Sequence, residues 1–299
     1  MSLDVNKHRE RLHNAADVLK EKTAKEKEKG FRVVITGKGG AGKTTVTALL
    51  SRLLSREGYH ILAVDEDPQM NLPFALGIPE PESEKIIPLN KNLDYIEEKV
   101  GARPGTSWGL MFRLNPDVSD VVKNFGIKGP DNVNILVMGT VVQAAAGCLC
   151  PENALLDSVV KYINLRDGEI ILMDTQAGLE HFGRGLAQGF KQVLVVTDPT
   201  FNSVQVAKKA GELAKQLEIP WIHLLVNRVR DKKDRERVDQ LFGASLKLFE
   251  RVFYLPYEES VLNLEPNIGP MLDLSPPSPF VEELKQVKEI LIAYGLKEA

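Results

Sequence analysis

The rhythm of apolar and polar positions changes sharply at Phe31. Residues 1–29 are dense in Lys and Glu, with sparse apolar positions at Leu12, Val18 and Leu19, and read as a solvated charged arm. From Phe31 onward, short β-branched runs alternate with helix-period segments. The runs "FRVVITG", "YHILAVDED", "NVNILVMG", "EIILMDTQAG", "QVLVVTDP", "WIHLLVNRV" and "RVFYLPY" predict strands. Between most of them lie amphipathic segments such as "KTTVTALLSRLLSREG", "ENALLDSVVKYI", "NSVQVAKKAGELAKQLE" and "DRERVDQLFGASLKLF". Near-continuous apolar strands separated by helices predict an α/β fold with a mostly parallel central sheet covered by helices on both faces. Residues 78–131 carry many Pro, Gly and Asn breakers and predict an insertion of short elements. Residues 263–280 read as a proline-rich surface crossing into a last helix, "VEELKQVKEILIAYGL", whose apolar face docks on the sheet. The expected organisation is an arm over 1–30 and a single domain over 31–299 that includes this helix.

The 299 residues suffice for a full core, and 43% hydrophobic with 26% charged content is ordinary for a globular chain. A net charge of -3 gives no electrostatic ground for nucleic acid or an anionic membrane as partner. No apolar run is long enough to span a bilayer, and the N-terminus lacks a signal-peptide core, so the expected location is cytoplasmic. In that reducing setting two cysteines form no disulfide framework; a close pair points to metal or redox chemistry.

The strongest chemical signal is "GKGGAGKT", Gly37 to Thr44, which matches G-x-x-x-x-G-K-[ST] and falls between a strand and a helix. Gly37, Gly39, Gly40 and Gly42 let backbone N–H groups turn toward phosphate, and the helix adds its positive end. Lys43 would bridge the β- and γ-phosphates, and the Thr44 hydroxyl would bind Mg²⁺.

Lys38, directly after the first glycine, resembles the signature lysine of the deviant Walker A ATPases, which include the nitrogenase iron protein, MinD and the ParA partition proteins. The resemblance implies a P-loop NTPase that forms a homodimer with ATP between its subunits, Lys38 reaching the partner's nucleotide. It places Ala41 and Thr45 with the rest of the loop in the nucleotide-binding set. By the same resemblance "VDEDPQMN" is switch I, where Asp67 positions the attacking water and Asp65 supports the magnesium shell. "ILMDTQAG" implies a Walker B-type Asp174 on magnesium and a switch II glycine at Gly178. Asn227 in "LLVNRV" resembles an adenine-reading asparagine, and "YLPYEES", with Pro256, the loop flanking the base.

Both cysteines lie in "AAAGCLCPEN", separated by one leucine. Pro151 suits a first helical position, so Cys150 sits near a helix N-cap, where the thiolate is favoured. One copy offers two sulfurs; two copies across a two-fold would offer four, enough for a tetrahedral site. "KGGAGKTT", "DEDPQMNL", "GCLCPEN" and "AGLEHFGRG" together resemble the CooC-type ATPases, nickel-accessory proteins for carbon monoxide dehydrogenase and its acetyl-CoA synthase partner. This resemblance runs from about Phe31 into the C-terminal helix. It implies Ni²⁺ or Zn²⁺ at Cys148 and Cys150 and a nickel enzyme as client, although Gln176 stands where an acidic residue is expected. Thiolates alone do not choose between nickel and zinc. Three other readings stay open: two idle thiols, an interfacial iron–sulfur cluster in a carrier or reductase-like ATPase, and a positioning ATPase with no use for the pair. His181 in "GLEHFGRG" and Arg184 are further candidates, while His60 and His223 read as structural strand residues.

Overall fold

A computed structural model describes residues 30–103, 113, 116–139, 155–156, 158–160, 168–176 and 190–297. The strands are β1 (Arg32–Gly37), β2 (His60–Asp65), β3 (Ile127–Lys128), β4 (Asn134–Val137), β5 (Glu169–Asp174), β6 (Gln192–Thr197), β7 (Trp221–Val229) and β8 (Arg251–Pro256). They form one sheet in the order β3-β4-β2-β5-β1-β6-β7-β8. Every pairing is parallel except that of the short edge strand β3 with β4.

Alternate residues of each strand feed opposite faces, as a two-residue period requires. Val33 and Ile35 of β1 enter one core, with α1 (Lys43–Arg56) and the C-terminal helix, whereas Val34 enters the other. The second face is covered by α6 (Phe201–Gln216) and α7 (Lys232–Phe242), and by helical residues 155–156 and 158–160. A short helix, α2 (Leu72–Leu76), precedes the expected insertion, whose described residues hold the short helices α3 (Glu80–Ser83), α4 (Leu93–Val100) and α5 (Val121–Phe125). A last short helix, α8 (Glu259–Leu264), precedes α9 (Pro279–Gly295).

Helix starts follow local chemistry. Thr200, Asp231 and Ser278 accept hydrogen bonds from Ser203, Asp234 and Val281 N–H groups, and Pro279 occupies the first turn of α9. The apolar stripe of α9 is buried as expected, through Phe280, Leu284, Val287 and Leu291. Buried Lys288 anchors the helix by pairing with Glu57 just beyond α1. The crossing before it is less superficial than its prolines suggest: Ile268 and Met271 are sealed in the core. Two apolar side chains among the prolines explain this. Among the described residues no helix is long and apolar enough to cross a membrane.

His223 of β7 is wholly buried, edge-on to Tyr294 at 5.1 Å, and its ring nitrogens meet no hydrogen-bond partner among the described residues. Burial, then Arg251, pushes its pKa down to about 4. The unfolded chain therefore takes up this proton first as pH falls from about 6.5, and the fold loses stability down to about 4. Chemical denaturation across that window should show a loss of about 3 kcal/mol from this group. His223→Leu should flatten that slope; an unchanged slope would assign it elsewhere.

Candidate functional site

The C-terminal ends of the parallel strands gather the site. β1 stops at Gly37, whose φ of 148° brings its α-carbon against β6; a Cβ there would lie 2.0 Å from the Val196 carbonyl oxygen. After the loop, α1 begins at Lys43 with Gly42, φ 101°, in the cap position. No side chain caps this helix and no acidic residue stands in its first turn. Its leading N–H groups and positive end thus remain available to an anion. A Cβ on Gly42 would meet Asn227 Nδ2 at 2.3 Å. That bare position lets the Asn227 amide donate to the Ala41 carbonyl at 2.9 Å and tie β7 to the loop.

A cavity of about 610 Å³ opens over the loop, walled by Gly39, Gly40, Gly42, Lys43, Thr44 and Thr45 on one side. Asp67 and Gln176 face it from the β2 and β5 ends. Gly37 and Ala41 are buried behind this wall, and Lys38 is half-buried and not among the lining residues. Lys43 Nζ donates to the Lys38 carbonyl at 3.4 Å. Burial lowers the Lys43 pKa against the pull of Asp174 and Asp67.

Register sets Asp65 and Asp174 side by side at the ends of β2 and β5. Thr44 Oγ1 donates to Asp174 Oδ2 at 2.6 Å, and Thr47 Oγ1 reaches Asp174 Oδ1 at 3.4 Å. Asp65 accepts the N–H groups of Asp67 and Leu72 at 2.9 and 3.0 Å, so its carboxylate shapes the loop that carries Asp67. Burial, then the neighbouring charges, raises Asp65 well above the ordinary range and Glu66 to about 7. Burial likewise pushes Asp174 up to about 7, with Asp67 adding to the rise against Thr44 and Lys43. The centre is short of positive charge.

A magnesium ion fits this donor set. Among the described residues no group of three or more His, Cys, Asp or Glu side chains could hold a metal. Magnesium needs no such cage, because it keeps waters and binds through one or two carboxylates plus substrate phosphates. Thr44 and Asp174 supply hard oxygens at the required place.

A second cavity, about 280 Å³, continues from the first and is lined by Asn227, Arg230, Tyr257 and Glu258. Arg230 stacks on Tyr257, its guanidinium carbon 4.9 Å from the ring centre. Pro256 lines a separate cavity with Arg230, Lys232 and Arg235, whereas the two residues after it, Tyr257 and Glu258, line the second. The sequence reading missed Arg228 and Glu265, which line both cavities. Glu265 sits in the proline-rich crossing, where nothing local signals a site. Cys148, Cys150, Gly178, His181, Arg184 and residues 1–29 of the arm lie outside the described residues.

A glycine-rich anion cradle, a buried lysine and strand-end carboxylates on a parallel sheet define a P-loop ATPase. The chain belongs to the CobQ/CobB/MinD/ParA nucleotide-binding family, whose domain description matches residues 32–265. It is 33% identical over 250 residues to the carbon monoxide dehydrogenase accessory protein CooC of Rhodospirillum rubrum, spanning 82% of this chain and 91% of that protein. An uncharacterised ATP-binding protein of Methanocaldococcus jannaschii is 38% identical over 79% of this chain and 88% of its own length. MinD of Aquifex aeolicus shares the fold at 21% identity, with a TM-score of 0.62 over 88% of this chain and 98% of that one.

The carboxylate load yields a prediction. Between about pH 4 and 7 the folded state holds the Asp174 proton that the unfolded chain has lost, so native stability falls as pH rises. Asp174→Asn should raise the melting temperature of the nucleotide-free protein, at about 2–4 °C per kcal/mol, with a gap that widens across that window. The same variant should lose the stabilisation that Mg²⁺–ATP gives the wild type. A variant that melts lower without ligand would contradict the charge deficit.

Proposed function

We propose that this ATPase acts as a nucleotide-dependent homodimer that binds Ni²⁺ or Zn²⁺ through Cys148 and Cys150 of both copies and assists nickel insertion into a carbon monoxide dehydrogenase or acetyl-CoA synthase. The observation that carries the reading is the placement of the only two cysteines, as "GCLCPEN", in a chain one-third identical to CooC. The ion is cargo, passed from thiolates to a client.

On this reading the loop from Gly37 to Thr45 wraps the phosphates of ATP, and Lys43 leaves the Lys38 carbonyl to bridge the β- and γ-phosphates. Thr44 and Asp174 hold magnesium, which offsets phosphate charge when bound; Asp65 fixes the loop that presents Asp67. Asp67 Oδ1 accepts the Gln69 N–H at 2.8 Å, and the second oxygen orients the attacking water. On this reading Lys38, half-buried and outside the lining of its own cavity, serves the nucleotide of a second copy. A cation brought to the γ-phosphoryl group in this way stabilises the charge that develops there. Asn227, Tyr257 and Glu258 flank the base.

Nucleotide state then sets the spacing of the two CxC segments, because the switch residues and Lys38 meet a γ-phosphate only in the triphosphate complex. Four thiolates at a two-fold complete a tetrahedral shell in the closed dimer. Neither nucleic acid nor a membrane takes part.

Two experiments test this. Lys43→Ala should abolish ATP hydrolysis, whereas Lys38→Ala should keep nucleotide binding by the monomer and lose turnover; full turnover in the Lys38 variant would remove the trans role. Anaerobic loading with Ni²⁺ or Zn²⁺, with mass by light scattering, should give one ion per dimer that the Cys148→Ser/Cys150→Ser variant loses. An iron–sulfur chromophore after loading with iron and sulfide, or cysteine-independent binding, would overturn the cargo assignment.

A further inference from the structure

β7 does not run straight to its end. Val226 pairs with Tyr254, yet Val229 pairs with Pro256, so three steps along β7 match two along β8. The extra residue makes a bulge, a device that re-aims a side chain at a sheet end. Within it Arg228 adopts φ 60°, a left-handed conformation that carries a steric penalty for any residue with a Cβ. Glycine would sit there without strain, and the turn does not require a long cation.

The bulge is held from both sides. The Asn227 amide donates to the Ala41 carbonyl of the phosphate loop, and its carbonyl oxygen accepts the Arg228 N–H at 2.8 Å. The backbone of Arg228 is thus pinned to the loop, and the residue, exposed, lines the seam between the two cavities. Four residues line both: Gly42, Thr45, Arg228 and Glu265. Arg228 is the cation among these four. The larger cavity carries the phosphate cradle, and the smaller carries the aromatic and amide groups suited to a base. A ligand filling both has its ribose and innermost phosphate at this seam. Arg228 is the group there that can offer a planar fork of donors to a phosphate oxygen.

We propose that Arg228 is a nucleotide-positioning residue that clamps the α-phosphate at its junction with the ribose, the strained bulge existing to hold its guanidinium over that seam. The inference rests on the reading of the two cavities as one nucleotide site. It makes phosphate recognition depend on β7 as well as on the loop, and it couples the base wall to the phosphate wall through the Asn227–Arg228 pair.

Affinities of ADP and adenosine for wild type, Arg228→Gly and Arg228→Lys test it. Arg228→Gly relieves the backbone conformation, so it should fold at least as stably as wild type. It should bind ADP about tenfold more weakly, the loss of one charge-assisted contact, with adenosine affinity unchanged. Arg228→Lys should recover part of the loss, because it keeps the charge without the fork. Wild-type ADP affinity in Arg228→Gly would overturn the inference while leaving the nucleotide site intact. Equal weakening of ADP and adenosine would overturn it too, since the residue would then shape the base wall. Failure of wild type itself to bind ADP would remove the underlying reading and the inference together.

Discussion

Two carboxylates at adjacent strand ends, Asp65 and Asp174, are sealed from water within one register step of each other. Ionising both in that place is costly, and burial pushes each above its ordinary range. The chain spreads the cost without removing it. Backbone N–H groups of Asp67 and Leu72 take up Asp65, the hydroxyls of Thr44 and Thr47 approach Asp174, and Lys43 stands near but is held on the Lys38 carbonyl. The remaining deficit is of the sign that a divalent cation at Thr44 and Asp174 would offset. The same carboxylates that weaken the empty protein therefore make it respond to ligand. Asp65 also organises the loop that carries Asp67, and Asp174 ties the end of β5 to the first turns of α1.

Much of this was legible locally. Each strand-run that the alternation predicted became a strand of the sheet, because buried parallel strands impose a continuous apolar composition that nothing else in the chain imitates. The phosphate loop was legible because its function needs missing side chains: Gly37 lies against the Val196 carbonyl and Gly42 against Asn227. Asp174 was legible as the acidic end of an apolar strand.

What escaped was decided by tertiary contacts. A one-residue bulge leaves no trace in composition, so Arg228 looked like any exposed arginine. Glu265 closes both cavities from a proline-rich crossing whose anchors, Ile268 and Met271, are too few to set a period. Pro256 and its neighbours differ by one cavity, which depends on how β8 ends against β7 and not on residue type. The two cysteines lie outside the described residues, and the role proposed for them requires a second copy of the chain, whose distance no single-chain pattern encodes.

In the proposed function, nucleotide and metal act on one equilibrium, the closure of two copies around ATP and around four thiolates. Thermodynamic linkage makes this a statement about affinities, since a triphosphate that favours closure must favour the ion and the ion must favour the triphosphate by the same factor. The most direct measurement is the anaerobic affinity for Ni²⁺ or Zn²⁺ in the presence of a non-hydrolysable ATP analogue and of ADP, with the reciprocal analogue affinity with and without the ion. The two nucleotides should give different metal affinities, and the ion should shift analogue affinity by the matching factor. Identical metal affinity in both nucleotide states would contradict it.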